Sequence, residues 1–96
     1  MEHRHKLAVM LLAAILTAPL QADITPSGDV DPTDHSWWIG GGDNSTDAYI
    51  GKTAAGSVTV SLGSDLSSYW GFIGYGAGAT GVVTVDGIGS TWTNSG

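Results

Sequence analysis

The second half of this chain consists of two similar units, and this internal repeat limits the possible folds more than any other feature. The first unit spans residues 48–71 and the second spans residues 72–96. Three segments align between the units: Tyr49-Ile50-Gly51 with Phe72-Ile73-Gly74, Val58-Thr59-Val60 with Val83-Thr84-Val85, and Gly63-Ser64 with Gly89-Ser90. The offset between aligned segments grows slightly along the unit, because small insertions lengthen the glycine-rich turns, where extra residues cost little.

Each unit has the residue pattern of short β-strands. Val58 and Val60 alternate with Thr59, and the second unit repeats the same alternation, with glycines on both sides. We therefore predict an all-β fold in which each unit forms one coil of a β-solenoid, with equivalent residues of successive coils stacked about 4.8 Å apart. The predicted stacked pairs are Ile50 with Ile73, Tyr49 with Phe72 and Val60 with Val85. A small antiparallel β-meander, with the glycine-rich segments as hairpin loops, is the alternative.

The last residues of this sequence suggest that further repeat units follow. A solenoid unit cannot bury its apolar face alone, and about three or more copies are usually needed. Here two units end on a VVTV strand and a lone Trp92, which would leave an open strand edge. We therefore expect this chain to be the N-terminal part of a longer array of repeats.

Residues 1–22 have the signature of a secretory signal peptide. A short basic start with Arg4 and Lys6 precedes an unbroken apolar run, residues 7–16. That run is well short of the roughly 18 residues that a membrane-spanning helix needs. Cleavage is predicted between Ala22 and Asp23, which would place the mature chain outside the cell or on a bacterial cell surface, with no stable membrane span.

The charge of the mature chain excludes several classes of partner. Eight Asp residues and one basic residue, Lys52, give a formal charge of 1 − 8 = −7 after cleavage. Nucleic-acid binding requires a basic surface that displaces counterions from phosphates, and this chain has none. An anionic membrane surface is disfavoured for the same reason. The chain also has no cysteine, so no disulfide can stabilise it.

Residues 23–47 are rich in Asp, Pro and Gly and precede the repeats. Between Asp23 and Asp34 the only large apolar residues are Ile24 and Val30. So little apolar surface does not offset the entropy lost on ordering, and we interpret residues 23–47 as an extended leader or linker.

The units resemble the repeat of bacterial autotransporter (type V secretion) passengers and of extracellular proteins that carry the PEP-CTERM sorting signal. The second unit carries the resemblance, through its FIGY start, its glycine-rich turn, Val83-Thr84-Val85-Asp86-Gly87 and Gly89-Ser90-Thr91-Trp92. The first unit departs from this pattern at Leu62 and Leu66. The resemblance covers about half of the chain, and it implies a secreted or surface-exposed, right-handed β-helical stalk.

Only weak candidates for a metal site are present. Asp29, Asp31 and Asp34 are spaced closely enough for an oxygen-rich calcium site, but they do not match an EF-hand loop. Asp43 and Asp47 are also close together in the sequence, and their segment likewise does not match a known calcium-binding loop. A solvated acidic loop is the simpler interpretation, and we predict no metal or other cofactor. His35, the one histidine of the mature chain, lacks cysteine or histidine partners for a zinc site.

No catalytic arrangement can be recognised. Gly76–Gly81 fits G-x-G-x-x-G, but a dinucleotide site requires a helix next, and a strand-like VVTV follows instead. Asp65 and Asp86 are the only acids within the repeats, and they occupy different positions of the unit. We therefore predict that the chain is not an enzyme.

Sugar binding is the one ligand class for which the sequence offers candidates. Four tryptophans could stack on sugar rings: Trp37, Trp38, Trp70 and Trp92. Three tyrosines could do the same: Tyr49, Tyr69 and Tyr75. Alternatively, recurring aromatic residues such as Tyr49 and Phe72 are positions of the core or of a surface ladder. The leading hypothesis is a non-catalytic stalk, scaffold or adhesin passenger, whose partners are further repeats of its own chain and cell-surface or polysaccharide contacts. A carbohydrate-binding or polysaccharide-processing module is the alternative.

Overall fold

A computed structural model describes residues 23–96. The predicted signal peptide, including Ala22 at the predicted cleavage position, lies outside the described residues. The elements, in chain order, are β1 (Asp23–Gly28), β2 (Val30–Asp31), α1 (His35–Ile39), β3 (Ala48–Ile50), β4 (Ala55–Ser61), β5 (Asp65–Ser68), β6 (Gly71–Ile73), β7 (Thr80–Val85) and β8 (Thr91–Asn94). The structure is therefore mostly β, as predicted. None of the helices within residues 23–96 has the length and apolar character needed to cross a membrane.

Each strand of the first repeat unit pairs in parallel with one strand of the second. The three pairs are β3 with β6, β4 with β7, and β5 with β8. Their registers join Tyr49 to Phe72, Ile50 to Ile73 and Val60 to Val85, so the predicted stacked pairs are confirmed. The antiparallel meander is wrong, because a meander pairs consecutive strands, whereas each of these pairs skips the two strands that lie between its members in the chain.

Residues 23–47 are not an extended linker, and that interpretation is wrong. β1 pairs antiparallel with β4, β2 pairs antiparallel with β3, and Gly42 forms a bridge to Ser67 in β5. The segment thus covers one edge of all three sheets. It can do so although it holds few apolar residues, because backbone hydrogen bonds supply most of the pairing and Ile24 and Val30 both point into the core.

A five-residue helix, α1, closes the same end of the molecule. Its first turn is capped by Asp34, whose Oδ1 accepts hydrogen bonds from the Ser36 backbone N–H at 3.0 Å and the Ser36 hydroxyl at 2.7 Å. Trp38 lies on the inner face of α1, where it is fully buried. This helix was not predicted, because it is too short to show a helical period, although Asp34 before it and three glycines after it are a capping residue and a stop signal.

The core consists of residues from the first unit and from the segment that covers it. Eight apolar side chains are buried: Ile24, Val30, Trp38, Ala48, Ile50, Val58, Val60 and Leu66. Their partners in the second unit are much more open, since Ile50 is 0% exposed and Ile73 is 51% exposed, and Val60 is 0% exposed and Val85 is 45% exposed. The two units therefore have equivalent positions but different surroundings, because β1, β2 and α1 cover only the first.

Candidate functional site

Five aromatic side chains form a continuous surface on the outside of the sheet that contains β3 and β6. We call it the aromatic surface, and its members are Tyr49, Tyr69, Trp70, Phe72 and Tyr75. Tyr49 points outward because it lies between the buried Ala48 and Ile50 of β3, and side chains alternate along a strand. Phe72 has the equivalent position in β6, so the two rings stack at 4.7 Å between centroids and 15° between planes.

Tyr75 lies against this stacked pair. Its ring centroid is 5.0 Å from that of Tyr49 and 5.1 Å from that of Phe72, and its plane is inclined at 88° and 78° to theirs. Both are T-shaped contacts, which is a preferred arrangement of aromatic pairs. The turn that carries Tyr75 is held by its backbone N–H, which donates to the Gly51 carbonyl oxygen at 2.9 Å. Tyr75 remains 58% exposed.

Trp70 and Tyr69 extend the aromatic surface from the segment before β6. The Trp70 ring lies 6.2 Å from Phe72 at an angle of 82°, and Tyr69 stacks on Trp70 at 5.4 Å and 25°. The Trp70 backbone is fixed on both sides: its N–H donates to Asp47 Oδ1 at 3.2 Å, and its carbonyl accepts from the Ala48 N–H at 2.8 Å. Trp70 is nevertheless 50% exposed.

One ion pair borders the aromatic surface. Lys52 Nζ lies 4.6 Å from the centroid of the Tyr49 ring and 2.7 Å from Asp31 Oδ2, and both charged side chains are 40% exposed. The hydrogen bond to the Asp31 carboxylate raises the pKa of Lys52, so the ammonium form is kept over the Tyr49 ring. Charged hydrogen-bonding groups thus stand beside an apolar ring surface.

Of the four predicted sugar-stacking tryptophans, only Trp70 belongs to the aromatic surface. Trp38 cannot stack on a ligand because it is fully buried, and that candidate is wrong. Trp37 packs edge-on against Trp38 at 4.8 Å, and its Nε1 donates to Asp43 Oδ2 at 2.9 Å. Trp92 packs against the core beside Leu66, and its Nε1 donates to the Ser68 hydroxyl at 3.0 Å. Both are therefore structural contacts.

Sequence reasoning named Tyr49, Tyr69 and Tyr75 beside the tryptophans as possible stacking residues but missed Phe72 as a member of the site. The signal for Phe72 was present, since its alignment with Tyr49 predicted a stacked pair. Tyr75 has no aromatic equivalent in the first unit, where Lys52 follows Gly51. Its place against both rings depends on the path of the turn after β6, which no local pattern specified.

The three calcium candidates are not brought together. Asp29 Oδ2 accepts the backbone N–H groups of Thr53 at 2.6 Å and Ala54 at 2.8 Å, Asp31 pairs with Lys52, and Asp34 caps α1. Within residues 23–96, the His and acidic side chains form no group of three that could hold a metal ion. Each carboxylate instead satisfies a separate part of the backbone or a separate cation.

The hydrogen bonds to Asp29 predict a dependence of stability on pH. They hold the pKa of Asp29 below its ordinary value of 3.8, with the Thr53 N–H as the largest cause. A depressed carboxyl pKa adds stability above the unfolded-state pKa, and this is lost as the pH falls through the folded-state pKa. We expect the urea concentration at the midpoint of unfolding to decrease as the pH is lowered from about 5 to about 3.

The matched variant is Asp29→Asn, measured over the same range of pH. It should be less stable than the parent chain above about pH 5 and should depend less steeply on pH below that, because one of the depressed carboxyl groups is gone. Equal pH profiles for both chains would contradict the role given to Asp29. Asp34 and Asp43 also have depressed pKa values, caused mainly by the Ser36 hydroxyl and the Trp37 indole N–H, so part of the slope should remain.

The remaining sequence candidates lie apart from one another. His35 is exposed at the start of α1. Asp65 accepts a hydrogen bond from the Thr91 hydroxyl at 2.7 Å, across the β5–β8 pair, whereas Asp86 accepts one from the Gly87 N–H at 2.9 Å in the turn after β7. The G-x-G-x-x-G segment runs directly into β7, as its sequence predicted.

A depression of about 290 Å³ lies between β1, β4 and β7. Small side chains and glycines line it, and none of its lining residues is titratable. Its polar side chains are the hydroxyls of Ser27, Ser57 and Thr80, with no aromatic or ionisable group beside them, so the aromatic surface is the stronger candidate for a binding site.

Comparison of the chain with protein-family models, with curated proteins and with solved structures gives no match.

Proposed function

We propose that this chain is a non-catalytic structural segment of a secreted or bacterial cell-surface protein, in which coils of a β-solenoid stack into a stalk, scaffold or adhesin passenger. The observation that carries the proposal is the set of three parallel strand pairs that join the two units. Their registers begin by joining Ala48 to Gly71, Ala55 to Thr80 and Asp65 to Thr91. Stacked coils require this pattern, because each side of a coil must pair with the same side of the next.

The two ends of this stack differ in a way that supports growth in one direction. At one end, β1, β2 and Gly42 occupy the free edges of the first unit, and Trp38 fills its interior. At the other end, Ile73 and Val85 are about half exposed although their stacked partners are buried. Another coil of the same repeat would cover both side chains, so we propose that the partners of the second coil are further repeats of the same chain.

A structural role also agrees with how the acidic residues are used. Asp29, Asp34 and Asp43 each accept backbone N–H groups of a turn or a helix end. Such contacts stabilise turns and caps in a chain that has no cysteine and therefore no disulfides. The export of the segment is proposed from the basic start and the apolar run within residues 1–22. Its surface location is proposed from the resemblance of its units to autotransporter and PEP-CTERM repeats.

The test is to add a third unit. A second copy of residues 71–96, which begins at the register partner of Ala48 and is joined after Gly96, should stack on the second coil and raise the free energy of unfolding. Covering the exposed halves of Ile73 and Val85 contributes about 1 kcal/mol each, so a gain of about 2 kcal/mol or more is expected. The measurement is urea unfolding followed by far-UV circular dichroism.

The control is the same chain extended by a scrambled sequence of identical composition. It keeps the added length and apolar content but not the register, so it should give no gain. If the true repeat and the scrambled sequence change the unfolding midpoint equally, the second unit does not accept another coil and the solenoid proposal fails.

A further inference from the structure

Stacked coils do not by themselves require aromatic residues on the outside of a sheet. Tyr75 and Trp70 belong to the aromatic surface and are 58% and 50% exposed. Both rings contact Phe72, which itself rests on Tyr49, so they are held by packing rather than left free. Rigid, exposed rings are suited to contact with a ligand because little conformational entropy is lost on binding.

We propose that the aromatic surface binds a neutral polysaccharide, with one sugar ring in contact with Tyr75 and another in contact with Trp70. The face of an aromatic ring carries partial negative charge, which attracts the C–H groups on the face of a pyranose. The Tyr75 ring is held by T-shaped contacts with Tyr49 and Phe72 and is still 58% exposed, so part of it is available to a ligand. Phe72 contacts both Tyr75 and Trp70, and it therefore sets the distance between these two rings.

The groups around the rings favour a carbohydrate over an apolar protein segment. Pyranoses present hydroxyl groups around an apolar face, and this surface presents hydrogen-bonding groups around apolar rings. These are the Tyr75 and Tyr69 hydroxyls, the Lys52 ammonium group and the Asp31 carboxylate, the side chains of the last two residues being 40% exposed. The exposed aliphatic residues that would suit an apolar protein segment, such as Val85 and Ile88, lie outside the aromatic surface.

The charge of the chain selects the class of polysaccharide. Residues 23–96 carry eight carboxylates and one ammonium group, and that ammonium group is already paired with Asp31. An acidic polysaccharide would be repelled by this net charge, whereas a neutral one would not. The ligand expected is therefore a neutral glucan, mannan or xylan.

The experiment is affinity electrophoresis of the chain in native gels that contain a soluble polysaccharide. Hydroxyethyl cellulose, glucomannan and arabinoxylan are the neutral probes, and alginate is the acidic one. At least one neutral probe should retard the parent chain, and alginate should not. Tyr75→Ala and Trp70→Ala should each weaken the retardation about tenfold, measured as the polysaccharide concentration that halves the mobility.

Two controls separate binding from folding. Val82→Ala and Ile88→Ala remove exposed apolar side chains elsewhere and should leave the retardation unchanged. Trp70→Phe keeps an aromatic ring at this position, so it should retain part of the binding even if Trp70→Ala fails to fold, and far-UV circular dichroism shows which variants are folded. The proposal is overturned if no neutral probe retards the chain, if alginate binds more tightly than the neutral probes, or if folded Tyr75→Ala binds like the parent.

The outcome is independent of the scaffold proposal. Tyr75 and Trp70 lie within the described residues, so a failure to bind would leave the gain in stability from a third unit unaffected. Conversely, if the chain binds a neutral polysaccharide but a third unit adds no stability, the binding proposal stands and the solenoid proposal fails.

Discussion

Replacing Trp38 by alanine should destabilise the chain by about 3–5 kcal/mol, which is enough to unfold a domain of this size. Trp38 is the largest fully buried side chain within residues 23–96. Its Nε1 donates to the Pro32 carbonyl oxygen at 2.8 Å, so the indole also holds the chain between β2 and α1. Loss of the ring would leave a cavity beneath the segment that covers the first unit. The measurement is urea unfolding followed by far-UV circular dichroism.

Two further variants locate the origin of the effect. Trp38→Phe keeps most of the apolar contact but removes the indole N–H, and it should cost less than Trp38→Ala by about 2 kcal/mol or more. Trp70→Ala, which removes an equally large but half-exposed ring, should destabilise far less than Trp38→Ala. If Trp38→Ala left the unfolding midpoint unchanged, residues 23–47 would after all be a linker that does not cover the repeats.

Replacing Gly51 by alanine is expected to cost about 2–5 kcal/mol, the sum of backbone strain and steric overlap. Gly51 has φ +76, a conformation that costs other residues about 1–2 kcal/mol. Its backbone N–H donates to the Asp29 carbonyl oxygen at 2.8 Å, so the turn is tied to the covering segment. A Cβ at this position would overlap the Thr80 carbonyl oxygen of the second unit, and relieving the overlap should add about 1–3 kcal/mol. The measurement is again the free energy of unfolding in urea.

Gly78→Ala is the matched control for this prediction. Gly78 has nearly the same φ, +77, but no heavy atom lies within 4 Å of the place where its Cβ would be. This variant should therefore show only the backbone strain of about 1–2 kcal/mol. The difference between the two variants measures the close approach of the units. Equal effects would mean that the two units are not as closely packed at Gly51 as the structure places them.

The repeat units show how far local sequence information reaches. Alternation of Val58 and Val60 around Thr59 predicted β4, and the alignment of the units predicted the pairing of Tyr49 with Phe72. Both features could be predicted from the sequence, because strand periodicity is local and because two similar segments that stack in parallel must pair equivalent residues. The candidate site could be predicted only in part, since the alignment of the units indicated the stack of Tyr49 and Phe72 but not the position of Tyr75 against it.

The two neighbouring tryptophans show where this information ends. Trp37 and Trp38 stand side by side in the sequence and were given the same predicted role, yet Trp38 is fully buried and Trp37 is only partly covered. The direction of each ring depends on α1, a helix too short to be recognised by periodicity. The burial of Trp38 depends further on the first unit, which follows later in the chain.

By itself, the sequence determined the strand pattern of the two repeat units, the register between the units and the acidic, cysteine-free character of the chain, because these are properties of composition, of period and of internal similarity. Only the tertiary structure decided that residues 23–47 cover one end of the sheets, and that Trp70 and Tyr75 remain exposed while Trp38 is buried. The physical reason is that burial and edge pairing depend on partners brought together from distant parts of the chain, such as Ile24 beside Val60. Nothing in the immediate neighbourhood of a residue specifies which distant segment will cover it.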